Sequence, residues 1–192
     1  MSAFPKTTFV DLYNSSFNLN KRFRSTWPSV DEALAIYVEE VNEVMDAMDE
    51  EDIRHLSEEI VDVIVTAMGG LMVHQTKIDI VWSTLAHSWN ARDDLRLSLF
   101  LKPNVEHRIE TLQEFITFDR AFRRAMTSGT TPFLRVSFTE LVVSAVALVI
   151  ARGGSLQDIT GAMAQVIAKN NAKTEKTHFL DKQTNKITRR SR

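Results

Sequence analysis

Glu40 with Glu43, and Glu59 with Asp62, are two pairs of carboxylates, each with the spacing that puts both members on one face of a helix. Exposed helices are rich in glutamate, so the neighbours decide what such a pair means. At about 100° per residue, Glu40 shares its side of the chain with Ala33, Ile36, Tyr37, Val44 and Ala47. Glu43 follows one turn on, at the edge of that apolar face, while Glu39, Asn42 and Asp46 group on the solvent side. The segment carrying Glu59 and Asp62 is apolar over most of its circumference, with Ile60, Val61, Val63, Ile64, Ala67 and Met68. One narrow polar stripe is left on it: His55, Glu59, Asp62 and Thr66. A carboxylate on a core-facing side is normally paired, neutralised or bound to a metal.

The short connection around Asp49–Ile53 makes these two segments antiparallel neighbours, so the carboxylate pairs can converge in the groove between them. Four carboxylates with no Cys or His among them form a hard-oxygen site, which favours Mg²⁺, or Mn²⁺, over zinc. A network neutralised by Arg or Lys is the structural alternative. His55, on the same stripe, could hydrogen-bond a ligating carboxylate. The other histidines, His74, His87, His107 and His178, show no metal spacing.

The elements that must position these groups are helical. Only four prolines and six glycines occur, and no segment alternates strictly, so strand content is expected to be near zero. Helices are expected at about Thr8–Asn18, Val30–Asp49, Glu51–Val73, Ile78–Asn90, Val105–Thr127, Pro132–Arg152 and Leu156–Asn171, with Leu95–Pro103 a connector. Ser29-Val30-Asp31-Glu32 reads as a capping box, Pro132 suits a first turn, Gly153-Gly154 ends the sixth helix and Ser155 caps the seventh. The fold class expected is an all-α antiparallel bundle, one domain over residues 1–192.

A shift of 81 positions pairs Met45 with Met126, Glu59 with Glu140, and Asn90-Ala91-Arg92 with Asn171-Ala172-Lys173. The chain is therefore expected to be two degenerate tandem copies of one helical unit, at about 25–95 and 105–176. Under the same shift Glu40 falls on Ala121, Glu43 on Arg124 and Asp62 on Val143, so only the first copy can hold the metal. Internal symmetry would then stand in for a homodimer, although a surplus apolar face could still pair two chains.

Composition removes several classes. The formal net charge of -2 gives no reason to expect a nucleic-acid or membrane partner. The absence of cysteine excludes disulfides, thiol chemistry and cysteine-zinc sites. No secretory leader is visible, and the apolar stretches Ile60–Val73 and Leu141–Ala151 fall short of the ~20 residues of a span, so a soluble, cytoplasmic protein is expected. No G-x-x-x-x-G-K-[ST] loop occurs.

At Glu39-Glu40-Val41-Asn42-Glu43 and Glu59-Ile60-Val61-Asp62 the chain resembles the MazG-type all-α nucleoside triphosphate pyrophosphatases, whose paired motif is E-E-x-x-E followed by E-[LI]-x-D. Asn171-Ala172-Lys173 resembles that family's phosphate-contacting N-x-K element. The tail Asp181–Lys186 is faintly similar to the lysine-containing tails of the phosphoribosyl-ATP-pyrophosphatase-like branch. The asymmetry of the two halves is similar to the dimeric-type dUTPases.

The resemblance implies metals on Glu40, Glu43, Glu59 and Asp62, a metal-activated water attacking the α-phosphorus, and release of a nucleoside monophosphate and pyrophosphate. It implies that Lys173, and Lys176 beside it, stabilise charge on the leaving group, with Asn171 donating to a phosphate oxygen. Trp27, Trp82 and Trp89 are candidates for stacking on the base, with core packing the commoner role for each. Arg120, Arg123 and Arg124 are read as solvated. The function expected is house-cleaning or pool-control hydrolysis of a nucleotide. The alternatives are a catalytically inactive helical module binding a nucleotide or partner, and a phosphoribosyl-ATP pyrophosphatase.

Overall fold

The computed structural model describes residues 4–92, 105–184 and 186–190. Among them are seven helices: α1 (Lys6–Phe23), α2 (Val30–Met48), α3 (Ile53–Val73), α4 (Ile78–Ala91), α5 (Val105–Ser128), α6 (Thr131–Ala151) and α7 (Leu156–Ala172). The fold is an all-α bundle, and most helix boundaries fall within one or two residues of those expected. The largest difference is α1, which runs five residues past Asn18. The connector expected at Leu95–Pro103 lies outside the described residues.

Local chemistry sets the ends. Ser29 accepts from the Glu32 amide while the Glu32 carboxylate accepts from the Ser29 amide, a complete capping box at the start of α2. Asp52 caps α3 through the amides of Arg54 and His55. Ser155 and Asp158 form a second box at α7. Gly153 closes α6 at a φ of 96°, a left-handed conformation that glycine adopts without strain. Gly154 then passes so close to Val149 and Ile53 that a Cβ there would stand 2.6 Å and 2.8 Å from their side chains.

Helices α2 and α3 pack as an antiparallel hairpin, as do α5 and α6. The hairpins are joined by exchange: α7 packs on α3 and α4 packs on α6, with α3 against α6 in the middle. An 81-residue shift converts one of these pairings into the other. Helix α1 lies on α7 and α3. The core holds Ile60, Ile64, Met68 and Leu71 of α3 with Leu134, Phe138 and Leu141 of α6, all fully buried. By length and composition α6 could cross a membrane, but most of it is buried inside the bundle, as in the core helix of a soluble protein.

The expectation of almost no strand holds, with one short hairpin among the described residues. After α7 the chain forms an antiparallel hairpin, β1 (His178–Leu180) with β2 (Ile187–Arg189), in the register Phe179 opposite Thr188. Each strand is only three residues long, and neither contains a fully buried side chain, so no hydrophobic pattern marked them.

Candidate functional site

The carboxylates of Glu40, Glu43 and Glu59 come together between α2 and α3, with one oxygen from each lying within 4.8 Å of the other two. Three anions so close are unfavourable without a cation, and Glu40 and Glu59 are harder to ionise than ordinary carboxyls. Burial, then the charges of Asp62 and Glu43, push the Glu40 carboxyl up to about 8. Glu59 is raised by burial and by the same two acids. One oxygen of Glu59, Oε2, is buried with no hydrogen-bond partner among the described residues. A buried carboxylate oxygen without a partner, beside two other hard-oxygen donors, fits a divalent cation of the Mg²⁺ type.

His55 holds the other oxygen of Glu59. Its Nε2 is 3.2 Å from Glu59 Oε1, and its Nδ1 is 2.8 Å from Glu50 Oε2. Further along the same stripe, the Thr66 hydroxyl donates back to the Asp62 and Val63 carbonyls.

Asp62 is not in that group of three, but its charge acts on Glu40 and Glu59 and it lines the same cavity as Glu40. Burial raises its carboxyl, while the ammonium groups of Lys169 and Lys173 on α7 oppose that rise. Lys173 is half-buried; burial lowers its ammonium, and Asp62 works in the opposite direction. Between the acids and these lysines lies an open cavity of about 330 Å³, within the range of small-molecule sites. Glu40 and Asp62 line one wall, and Lys169, Asn170 and Lys173 line another. Ser16, Asn20 and Arg24 from α1 and the segment after it, with Thr66 and Lys186, complete the polar lining, and Leu19, Ile36, Val65 and Val166 supply apolar surface.

The Asn–Lys element differs from its expected reading by one residue. Val166, Lys169, Asn170 and Lys173 follow the three-and-four spacing of a helix face, and all four line the cavity. Asn171 is about 100° around the helix and is exposed; Lys176, beyond the helix end, is exposed too, and neither lines the cavity. Asn170 is buried and donates to Ser16 Oγ at 3.4 Å, tying α7 to α1.

The tryptophans are packing residues. Trp82 and Trp89 surround Phe4, with ring centroids at 6.2 Å and 5.1 Å, and Trp27 lies 5.2 Å from Phe17. None of the three lines the cavity. Arg120 and Arg124 are exposed, as expected. Arg123 is not simply solvated: its Nε donates to Asp119 at 2.8 Å, and Asp119 accepts from the buried Tyr37 hydroxyl at 2.8 Å.

Several contributors were not singled out from the sequence, among them Ser16, Lys169 and Asn170. Asn20 lies in the part of α1 beyond its expected end at Asn18, and Arg24 directly follows the helix. Lys186, directly before β2, reaches back to α2, with Nζ 2.7 Å from Glu39 Oε1 and 3.9 Å from Glu40 Oε1. The basicity of the tail and the faint resemblance at Asp181–Lys186 were the signals in the sequence, and neither named Glu39 as a partner.

No protein-family model matches the chain, and no curated protein and no solved structure matches it either.

Proposed function

We propose that this protein is a divalent-metal-dependent nucleoside triphosphate pyrophosphohydrolase, cleaving between the α- and β-phosphates to give a nucleoside monophosphate and pyrophosphate. One observation carries the reading: a cavity of small-molecule size has Glu40, a member of the carboxylate cluster, with Asp62 on one wall and Lys169 and Lys173 on the other. A metal-triphosphate complex has the same polarity, cation on one side and anionic oxygens on the other.

Glu40, Glu43 and Glu59 would hold Mg²⁺ or Mn²⁺, which when bound supplies neutralisation of the phosphate chain and acidity for an attacking water. Asp62, facing both the cluster and the lysines, is placed to orient the water or a second cation. Lys169, which is exposed, and Lys173, which is half-buried, neutralise the anion as point charges. Asn170 offers an amide to the ligand from the cavity floor. The apolar surface of Leu19, Ile36, Val65 and Val166 receives the less polar part of the nucleotide without an aromatic stack.

The test is a panel of ribo- and deoxyribonucleoside triphosphates with Mg²⁺ or Mn²⁺, products identified by chromatography. Monophosphate and pyrophosphate in equal amounts are expected. Diphosphate with orthophosphate would replace this reaction with another. Binding with no turnover under either ion would leave a nucleotide-binding module, and turnover confined to phosphoribosyl-ATP would assign the narrower activity.

A further inference from the structure

The acid cluster already carries one cation of its own. Lys186 Nζ makes an ion pair with Glu39 at 2.7 Å and stands 3.9 Å from Glu40, the most strongly perturbed member of the cluster. Partial burial pulls the Lys186 ammonium down, but Glu39, Glu40 and Glu43 together push it up, and its charge in turn lowers Glu40. Lys186 also lines the cavity, together with Ile187. It therefore touches both the place where a divalent ion would sit and the space a phosphate chain would fill.

The element that carries it is lightly held. The hairpin is anchored at its base, where the Arg190 amide donates to the Thr177 carbonyl at 2.9 Å and Arg190 Nε donates to the Glu175 carbonyl at 3.1 Å. Neither strand has a buried side chain, and a two-stranded hairpin has little stability of its own. A lysine on such an element can change partners at small conformational cost.

We infer that Lys186 is an exchangeable cation: it neutralises Glu39 and Glu40 while the metal is absent, and passes to the phosphate chain when metal and nucleotide enter. This rests on the proposed metal-dependent reading of the site. The logic is charge balance. A divalent ion at Glu40 makes Lys186 redundant there and repels it, while the incoming triphosphate brings negative charge to the cavity that Lys186 lines. Lys186 is then a positioning residue that opposes binding of metal alone and favours binding of metal with polyphosphate.

Two probes separate these effects. Binding of Mn²⁺ alone, followed by the spectrum of the free ion, is compared for the full chain, Lys186→Gln and Lys186→Arg. Binding of inorganic tripolyphosphate at saturating Mg²⁺ is measured on the same three proteins by calorimetry. Lys186→Gln is expected to bind Mn²⁺ about three- to tenfold tighter and tripolyphosphate about three- to tenfold weaker, with Lys186→Arg close to the natural chain in both. Opposite changes are not what a loosened hairpin would give. Equal Mn²⁺ affinity in Lys186→Gln and the natural chain, or weakening toward both probes, overturns the exchange while leaving the metal site standing. Absence of Mn²⁺ binding to the natural chain overturns the metal reading itself.

Discussion

His55 bridges Glu50 and Glu59, with Nδ1 2.8 Å from one carboxylate and Nε2 3.2 Å from the other. The loop between α2 and α3 is thereby tied to the one carboxylate of the cluster that has a buried unpartnered oxygen. The His55 side chain is 40% exposed and packs in no core cluster, so replacing it should leave the fold intact. His55→Ala is expected to weaken Mn²⁺ binding roughly tenfold, the usual effect of losing a group that orients a metal ligand, with the melting temperature nearly unchanged. Undiminished affinity in His55→Ala would show that the ring does not orient Glu59.

The pH dependence follows from Glu40. Its carboxyl moves from an ordinary value of 4.5 up to about 8 on folding, because burial and the neighbouring acids disfavour the charged form. The folded chain thus binds a proton more tightly than the unfolded one, so stability is greatest below about 4.5, other groups aside, and declines as pH rises through 8. Without divalent ions the melting temperature should fall steadily from pH 5 toward pH 8.5, and Mg²⁺ should flatten the slope. Mn²⁺ affinity should rise with pH over the same interval, since Glu40 must lose its proton to ligate. A melting temperature that rises through this interval in the cation-free protein would contradict the assignment of Glu40.

Asn170 and Asn171 are adjacent in sequence but stand on different faces of α7. If the cavity binds nucleotide, Asn170→Ala should raise KM on the order of tenfold, the loss of one hydrogen bond from a partly buried site. Asn171→Ala should leave KM within about twofold of the natural value by the same reasoning. Equal effects from the two substitutions would mean that the cavity wall is misassigned.

Much of this arrangement was legible in the residues. The faces of α2 and α3 could be read because apolar side chains dominate them and leave few places for an acid. The exposed side of Glu39 and the half-buried setting of Glu40 follow from that periodicity, whereas Glu43, expected at the edge of the apolar face, is exposed at the end of a long flexible side chain. What was not legible depended on contacts distant in sequence. Asn170 is distinguished from Asn171 only by packing against Ser16, which lies 154 positions away. The hairpin that brings Lys186 to Glu39 has no hydrophobic alternation, and it is held by backbone pairing and charge. Trp27, Trp82 and Trp89 pack with Phe4, Phe9 and Phe17, the role expected as the commoner one for each.

The Tyr37 hydroxyl, fully inside the core, donates to Asp119, which also accepts from Arg123. This links α2 to α5 away from the cavity. Tyr37→Phe removes the donor without changing the packing and is expected to lower stability by about 1 to 2 kcal/mol, read from denaturant unfolding, with kcat and KM unchanged. A large loss of activity at full stability would instead place this network in the reaction.

Gly154 tests the support beneath the site. A Cβ there would meet Val149 Cγ1 at 2.6 Å, Ile53 Cγ2 at 2.8 Å and the Val149 carbonyl at 3.1 Å. The backbone oxygen cannot turn aside as a side chain can, so Gly154→Ala should destabilise by about 1 to 3 kcal/mol. Because Ile53 opens the helix that carries Glu59 and Asp62, the strain should also weaken Mn²⁺ binding. A variant as stable as the natural chain would show that the α6–α7 turn yields more easily than this packing implies.

The most direct test of the central claim is pyrophosphate release measured side by side for the natural chain, Glu59→Gln and Asp62→Asn, each checked by thermal melting, on whichever nucleoside triphosphate the natural chain turns over. The account predicts metal-dependent release by the natural chain and a loss of at least about a hundredfold in both variants, corresponding to roughly 2.7 kcal/mol or more of transition-state stabilisation, with melting temperatures no lower than that of the natural chain. Undiminished release in both folded variants, or no release from any nucleotide with either Mg²⁺ or Mn²⁺, would contradict it.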